Sequence, residues 1–301
     1  GSPRARCCPS HTSGWLRTHD CSPDALAERR PHLRLWDAGI NDTLPTLDYS
    51  DYMHTDAGMR AWIEAIQLHG VVLLRGVPAQ PGQLLDVARR IGPVRPSNFG
   101  EYYDVVSMPN PNASAYTSMG LELHTDLANW NSPPDVQLLF CIKSSVRGGE
   151  SLFADGFKVA TDLRARDPEA FRLLSSHPMD FRFHDDACDI RASAPTIVLD
   201  GAGCITQVRF NNWLRAPMSL PEHLIEPMYA ALGTFWNMLR DPGYHLNLRL
   251  DPGCLIAYNN NRVLHGRASF DPTTGERHLQ GCYLNLEDLQ SKLRLLDRAQ
   301  A

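Results

Sequence analysis

Pro133-Pro134-Asp135-Val136-Gln137-Leu138-Leu139-Phe140-Cys141-Ile142-Lys143 is the stretch on which the fold turns. Two prolines end any helix approaching it, and the apolar run behind them is short enough to read as a buried strand. Outward from it, similar short runs separated by Gly, Pro and Asn turns predict strands at Glu150–Ala154, Asp180–Phe183, Thr196–Asp200, Ile205–Phe210, His245–Leu250, Cys254–Tyr258 and Arg277–Leu284. Upstream, Asp56–Leu68 and Gln83–Ile91 have helical periodicity, and the run from Gly70 to Gly76 reads as a strand closed by glycine. Further helices are expected at about 157–175, 221–240 and 286–297. Many short strands with helices outside them predict a mainly β protein, two layers of sheet in a jelly-roll core with flanking helices.

The chain of 301 residues is long enough for one large core, expected over residues 41–301. Residues 1–40 are Arg- and Cys-rich and weakly periodic, and read as an appendage; Gly1-Ser2 reads as an expression scar. Net charge is −5 with no dense basic block, which speaks against nucleic acid and anionic membranes as partners. No run of about 18 apolar residues is present, so no spanning segment is expected. The eight cysteines are scattered, and five lie in or beside apolar segments, as buried reduced thiols of a cytoplasmic protein would. Cys7, Cys8, His11 and Cys21 offer zinc-type donors, but adjacent cysteines break the usual two-to-four-residue ligand gap, and structural zinc stays open.

Chemistry enters at His124-Thr125-Asp126. Two histidines and a carboxylate on one face of an octahedral metal leave three positions for co-substrate and oxygen, and their footprint is His-x-Asp/Glu plus a distant His. With twelve histidines among 34 acidic residues, about one His-x-Asp/Glu arises by chance; this chain has three. His54-Thr55-Asp56 precedes a helix, where Thr and Asp serve as N-cap and first-turn residues. His184-Asp185-Asp186 follows a short strand and reads as a polar turn. His124 and Asp126 instead precede the deciding strand, and a second histidine follows a strand in Asn261-Arg262-Val263-Leu264-His265-Gly266-Arg267. Arg277 opens the next strand, where its forked guanidinium could clamp a carboxylate in two-point fashion. Ser151, in Gly148-Gly149-Glu150-Ser151, could donate a hydroxyl to that same carboxylate.

Across His124-Thr-Asp126, Pro133–Lys143, Gly148–Phe157, Asn261–Arg267 and Arg277–Tyr283, the chain resembles the γ-butyrobetaine dioxygenase and trimethyllysine dioxygenase branch of the TauD-type Fe(II)/2-oxoglutarate-dependent dioxygenases. The resemblance runs from about Trp15 to Leu296. It implies a double-stranded β-helix core, Fe(II) on His124, Asp126 and His265, and 2-oxoglutarate on Arg277 with Ser151, O2 being the other co-substrate and ascorbate the assay reductant. It implies a small quaternary ammonium substrate caged by Phe99, Tyr103, Tyr116 and Tyr283, with Asn211 and Asn212 at its anionic end. It also suggests a homodimer. γ-Butyrobetaine or a close analogue is the expected substrate. The sequence departs from the pattern at Leu127, where an aromatic residue is usual, and at Ala113 in Asn112–Ala115, where an amide is usual. A trimethylammonium phosphonate is therefore the alternative substrate, and a non-catalytic metal-binding jelly-roll sensor the alternative class. The family's N-terminal zinc module has a counterpart here only in His11.

Overall fold

The apolar run behind Pro134 forms an interior strand of a six-stranded sheet, and its alternation assigns each face. The computed structural model describes residues 20, 22, 32–106 and 117–300. The chain divides into Gly1–Leu33 and Arg34–Ala301, and every element below belongs to the second unit. Trp36 and Ile40 are in its core, so packing begins ahead of residue 41. Cys7, Cys8, His11 and Cys21 lie outside the described residues, as does Tyr116.

The strands that build the two sheets are β1 (Thr46–Asp48), β2 (Val71–Arg75), β3 (Tyr102–Val106), β4 (Leu121–His124), β5 (Val136–Ser144), β6 (Ser151–Asp155), β7 (His245–Leu248), β8 (Leu255–Asn259), β9 (Val263–Arg267) and β10 (Arg277–Leu284). The larger sheet has the order β1-β2-β8-β5-β10-β3, antiparallel except for β1 with β2. The smaller is fully antiparallel, β7-β6-β9-β4. The expected jelly-roll core is thus present, with helices on its outer faces.

Side chains alternate across a strand, so each strand of the larger sheet serves two cores. Val72, Leu74, Val136, Leu138, Phe140, Leu255 and Ala257 meet helices α1 (Tyr49–His54), α2 (Asp56–His69), α3 (Gln83–Ile91) and α7 (Leu286–Gln300). Val71, Leu73, Cys141, Ile256, Tyr258 and Leu279 point the other way, to Phe153, Leu246 and Val263 of the smaller sheet. Ala154 and Leu264, on the outer face of the smaller sheet, pack against α4 (Gly156–Arg166), α5 (Pro168–Ser176) and α6 (Glu222–Arg240). The helix expected at about 157–175 is two helices. Asp167 ends α4 and caps α5, accepting from Ala170 N at 3.0 Å, and Pro168 supplies the first residue of α5. Among the described residues, no helix is long and apolar enough to cross a membrane.

One polar contact crosses this apolar frame. Arg262, in the β8–β9 turn, and Asp155, ending β6, have side chains 1% and 0% exposed and bond twice, at 2.8 and 3.1 Å. The guanidinium also donates to Leu68 O at 3.0 Å and Arg34 O at 2.7 Å, while Asp155 accepts from Trp36 N and Phe157 N. The pair therefore ties the end of α2 and the 34–36 segment to the smaller sheet. Removing one partner strands a buried charge, so Asp155→Ala should lower the unfolding free energy by about 3–5 kcal/mol in urea titration. An unchanged midpoint would mean the pair carries no such role.

Candidate active site

His124 ends β4 and His265 sits within β9, and the two are directly paired across the antiparallel ladder. That register brings their rings to a centroid separation of 4.3 Å. His124 Nδ1 is 2.8 Å from Glu122 O, which leaves Nε2 facing inward, 3.4 Å from Asp126 Oδ1. His265 Nε2 lies 3.7 Å from the same oxygen, and its Nδ1 is buried without a hydrogen-bond partner among the described residues. One donor atom from each residue lies within 4.8 Å of the other two. Neighbouring ligands of an octahedral ion with bonds of about 2.1 Å stand ~3 Å apart, so a small rotamer adjustment completes the set.

The charge states suit a metal. Burial, then the neighbouring His124, lowers His265 to about 3, which keeps its imidazole neutral and its lone pair free. Burial alone would raise the Asp126 carboxyl. His265, then hydrogen bonding and charge from His124 and the Tyr283 hydroxyl, outweigh it and hold Asp126 below the usual carboxylate range. Two imidazoles and one carboxylate of this geometry fit a divalent first-row metal.

Asp126 is held by its backbone and by its side chain. Asn260, 1% exposed between β8 and β9, accepts from Asp126 N at 2.8 Å and donates to Asp126 O at 3.1 Å and Pro134 O at 2.9 Å. Tyr283 donates its hydroxyl to Asp126 Oδ2 at 2.7 Å. The next residue, Leu127, has φ +52°, in the left-handed region that non-glycine residues seldom occupy.

The pocket in front of the triad is lined by Tyr103, Gln137, Ser151, Arg267 and Arg277, among others. Ser151 and His265 share the inward face because β6 and β9 alternate in phase; Arg267 pairs directly with Ser151. Burial depresses both guanidinium groups to about 10; for Arg267 the nearby Arg277 adds to it. They flank Phe270, 4.9 and 5.5 Å from the ring centroid. Arg267 donates to Thr117 O and Met119 O. Among the described residues no carboxylate pairs with Arg277, so a half-buried cation faces the pocket without a described counter-ion. Such a charge is costly unless an anion meets it.

An aromatic wall closes the side beside Asp126. Tyr103 stacks on Tyr283 at 5.6 Å and on Phe99 at 6.3 Å. Gln137 donates to the Tyr103 hydroxyl at 2.7 Å. Gly281 makes room for this ring, because a Cβ there would stand 2.4 Å from Tyr103 Cζ. Phe183 meets Phe99 edge-on at 5.9 Å, and Trp213 meets the His124 ring at 5.9 Å.

His124, Asp126, His265, Ser151, Arg277 and Tyr103 thus line one pocket, with Tyr283 and Phe99 adjoining. Asn211 and Asn212 do not line it. The Asn211 amide is committed to the backbone, donating to Thr125 O at 3.3 Å and accepting from Trp213 N and Leu214 N. Asn212 is half-buried, its Oδ1 without a partner among the described residues. The two rival His-x-Asp matches behave as expected. Thr55 caps α2 through Gly58 N at 2.8 Å, and Asp185 closes a turn on Ala187 N and Cys188 N. Sequence reasoning did not single out Asn260, Gln137, Arg267, Phe183 or Trp213. Arg267 was findable, since strand alternation places it on the His265 face.

The fold, the His/Asp/His set and the uncompensated arginine define the class of Fe(II)/2-oxoglutarate-dependent dioxygenases. The chain belongs to the Taurine catabolism dioxygenase TauD, TfdA family, which matches over residues 30–283. It is 40% identical to a γ-butyrobetaine dioxygenase of Pseudomonas sp. (strain AK-1), over 95% of this chain and 75% of that one. It is 30% identical to a mitochondrial trimethyllysine dioxygenase of Rattus norvegicus, over 87% and 63%. A solved taurine dioxygenase from Burkholderia xenovorans shares the fold, with a TM-score of 0.61 and 15% identity over 80% of this chain and 87% of that one.

Asp126→Ala should abolish binding of one divalent metal per chain, seen as loss of the ligand-field absorption of added Co(II). A variant that titrates like its parent would remove Asp126 from the ligand set. Gly281→Ala should push Tyr103 from its place and cost about 1–3 kcal/mol of stability; a crystal structure with Tyr103 unmoved would contradict that.

Proposed function

We propose that this protein hydroxylates an unactivated C–H bond of a small trimethylammonium compound, γ-butyrobetaine or a close analogue, using Fe(II), 2-oxoglutarate and O2. The observation that carries the reading is that Arg277, with no described carboxylate partner, and Tyr103 line one pocket with the His124–Asp126–His265 set, with Tyr283 and Phe99 adjoining through ring contacts. Relatives named for γ-butyrobetaine and trimethyllysine support the same substrate chemistry.

In this reading His124, Asp126 and His265 hold the iron. When bound there, the metal would supply the oxidising chemistry, with 2-oxoglutarate and O2 consumed together and succinate and CO2 released. The protein supplies position. Arg277 receives the far carboxylate of 2-oxoglutarate, and Ser151 donates to it. A trimethylammonium group can make no hydrogen bond of its own, so ring faces are its natural receptor. Tyr103, Tyr283 and Phe99 would meet it; Tyr116, which the resemblance adds to the cage, lies outside the described residues. The wall stands beside Asp126, since Tyr283 bonds its Oδ2, so a cation held there would lie next to the metal-binding set. Asn211 acts from beneath, through Thr125 and the Trp213 turn, rather than as a direct substrate contact. Asn212 stays the candidate for the anionic end.

A second reading keeps the cage and changes the anion to a phosphonate. It is favoured by Leu127, whose apolar side chain follows the metal-binding aspartate, and by Ala113 in the sequence. The reading also includes a cytoplasmic homodimer. Free Cys141, Cys188, Cys254 and Cys282 are consistent with a reducing compartment.

The test is succinate formation from 2-oxoglutarate with Fe(II) and ascorbate over a panel of trimethylammonium carboxylates and phosphonates. Tight coupling to one member is expected and names the anionic end. Failure across the panel with intact 2-oxoglutarate binding would show that the aromatic wall is not a cation cage. Arg277→Ala should raise the KM for 2-oxoglutarate about 30-fold or more, the equivalent of losing 2 kcal/mol from one buried charge pair. An unchanged KM would move the co-substrate elsewhere.

A further inference from the structure

We infer that Asn260 is a positioning residue that presets the Asp126 carboxylate before metal arrives. The inference rests on the metal-site reading above. Asn260 bonds to no proposed ligand atom. Its carboxamide closes instead on both backbone polar groups of Asp126, accepting from N and donating to O. The second amide hydrogen reaches Pro134 O, and Asn260 N itself donates to Asp135 O at 2.7 Å. Asn260 itself is buried, as is its bond to Pro134 O, while its two bonds to Asp126 are partly buried.

Geometry gives these bonds a job beyond filling space. Asp126 lies just past the end of β4, so no ladder bond fixes its peptide. Its successor, Leu127, is left-handed, a conformation that surroundings must enforce in a residue with a branched side chain. Asn260 fixes the Asp126 backbone on the strand side of that turn, and Tyr283 fixes Oδ2. Oδ1 is thereby aimed between the two imidazoles. Without Asn260 the carboxylate would have to be ordered at the expense of metal-binding free energy.

Only a carboxamide can do this, because the site needs one acceptor and two donors on one planar group. Aspartate in place of Asn260 keeps the acceptor, loses both donors and adds a charge near Asp126. The neighbouring Asn261 is the control. Its amide bonds to Asp135 Oδ1 and Gln207 and to no atom of Asp126.

The experiment is Co(II) titration of the metal-free protein, read by ligand-field absorption, for the parent, N260A, N260D and N261A, with thermal unfolding alongside. N260A and N260D should weaken Co(II) binding about 10- to 100-fold, and N261A should stay near the parent. Equal affinity in parent and N260A, or equal weakening in N261A, would overturn the inference. Absence of Co(II) binding in the parent would instead overturn the metal-site reading. A second measurement needs no variant: in metal-free parent protein, hydrogen exchange at the Asp126 amide should be protected by Asn260 Oδ1. Exchange at the rate of an open-loop amide would overturn the inference even if the variants fail to fold.

Discussion

Backbone carbonyls removed from water must find donors, and this requirement governs the segment that follows β4. Between Thr125 and Pro134 the chain leaves one sheet and enters the other without forming a ladder of its own. Side chains from distant elements satisfy it instead. Asn211 takes Thr125 O, Asn260 takes Asp126 O and Pro134 O, Arg209 takes Ala128, Trp130 and Asn131 O, and Arg95 takes Ser132 and Pro133 O. Four side chains thus do for a loop what a neighbouring strand does for a strand. Arg209 is the plainest case, a buried guanidinium depressed by burial whose described hydrogen bonds go to three carbonyls and the Gln207 amide. The result is an irregular segment held nearly as tightly as sheet, which is what a carboxylate fixed between two imidazoles requires.

The frame around that loop follows from alternation. β5, β8 and β2 each send one set of side chains to the helices and the other to the facing sheet. The pocket opens where the inward set turns polar: Gln137 on β5, Ser151 on β6, His265 and Arg267 on β9, Arg277 on β10. The chemistry therefore occupies the same face as the core, a continuation of it rather than an attachment to it. The Arg262–Asp155 pair sits at the opposite end of β6 and β9 from Ser151 and Arg267 and fixes how those strands meet the 34–36 segment.

Much of this was legible in the sequence, for identifiable reasons. Val136–Ser144 is a long, largely apolar run beside turn residues, and a strand is the natural outcome of such a run. β3 and β4 were not foreseen. Tyr102–Val106 is an edge strand of mixed exposure and Leu121–His124 is four residues long, so neither shows a clear period. The triad of His124, Asp126 and His265, together with Arg277, was legible because these are reactive types in a known order. Asn260 was not, because its function lies in bonds to backbone atoms, and any residue's backbone looks alike in a sequence. Asn211 was read as a contact for the substrate, yet its amide serves the same hidden purpose.

The shared use of Tyr283 bears on how such a pocket can change over generations. One side chain stacks in the aromatic wall through its ring and steadies the metal-binding carboxylate through its hydroxyl. A mutation that reshapes the wall there also disturbs Asp126, so selection on substrate cannot act on this position alone. Phe99, Phe183 and Trp213 touch the wall or the His124 ring without a described bond to Asp126. New substrate preferences within this lineage should therefore accumulate at the outer aromatic positions, while Tyr283 drifts only where the metal site tolerates it.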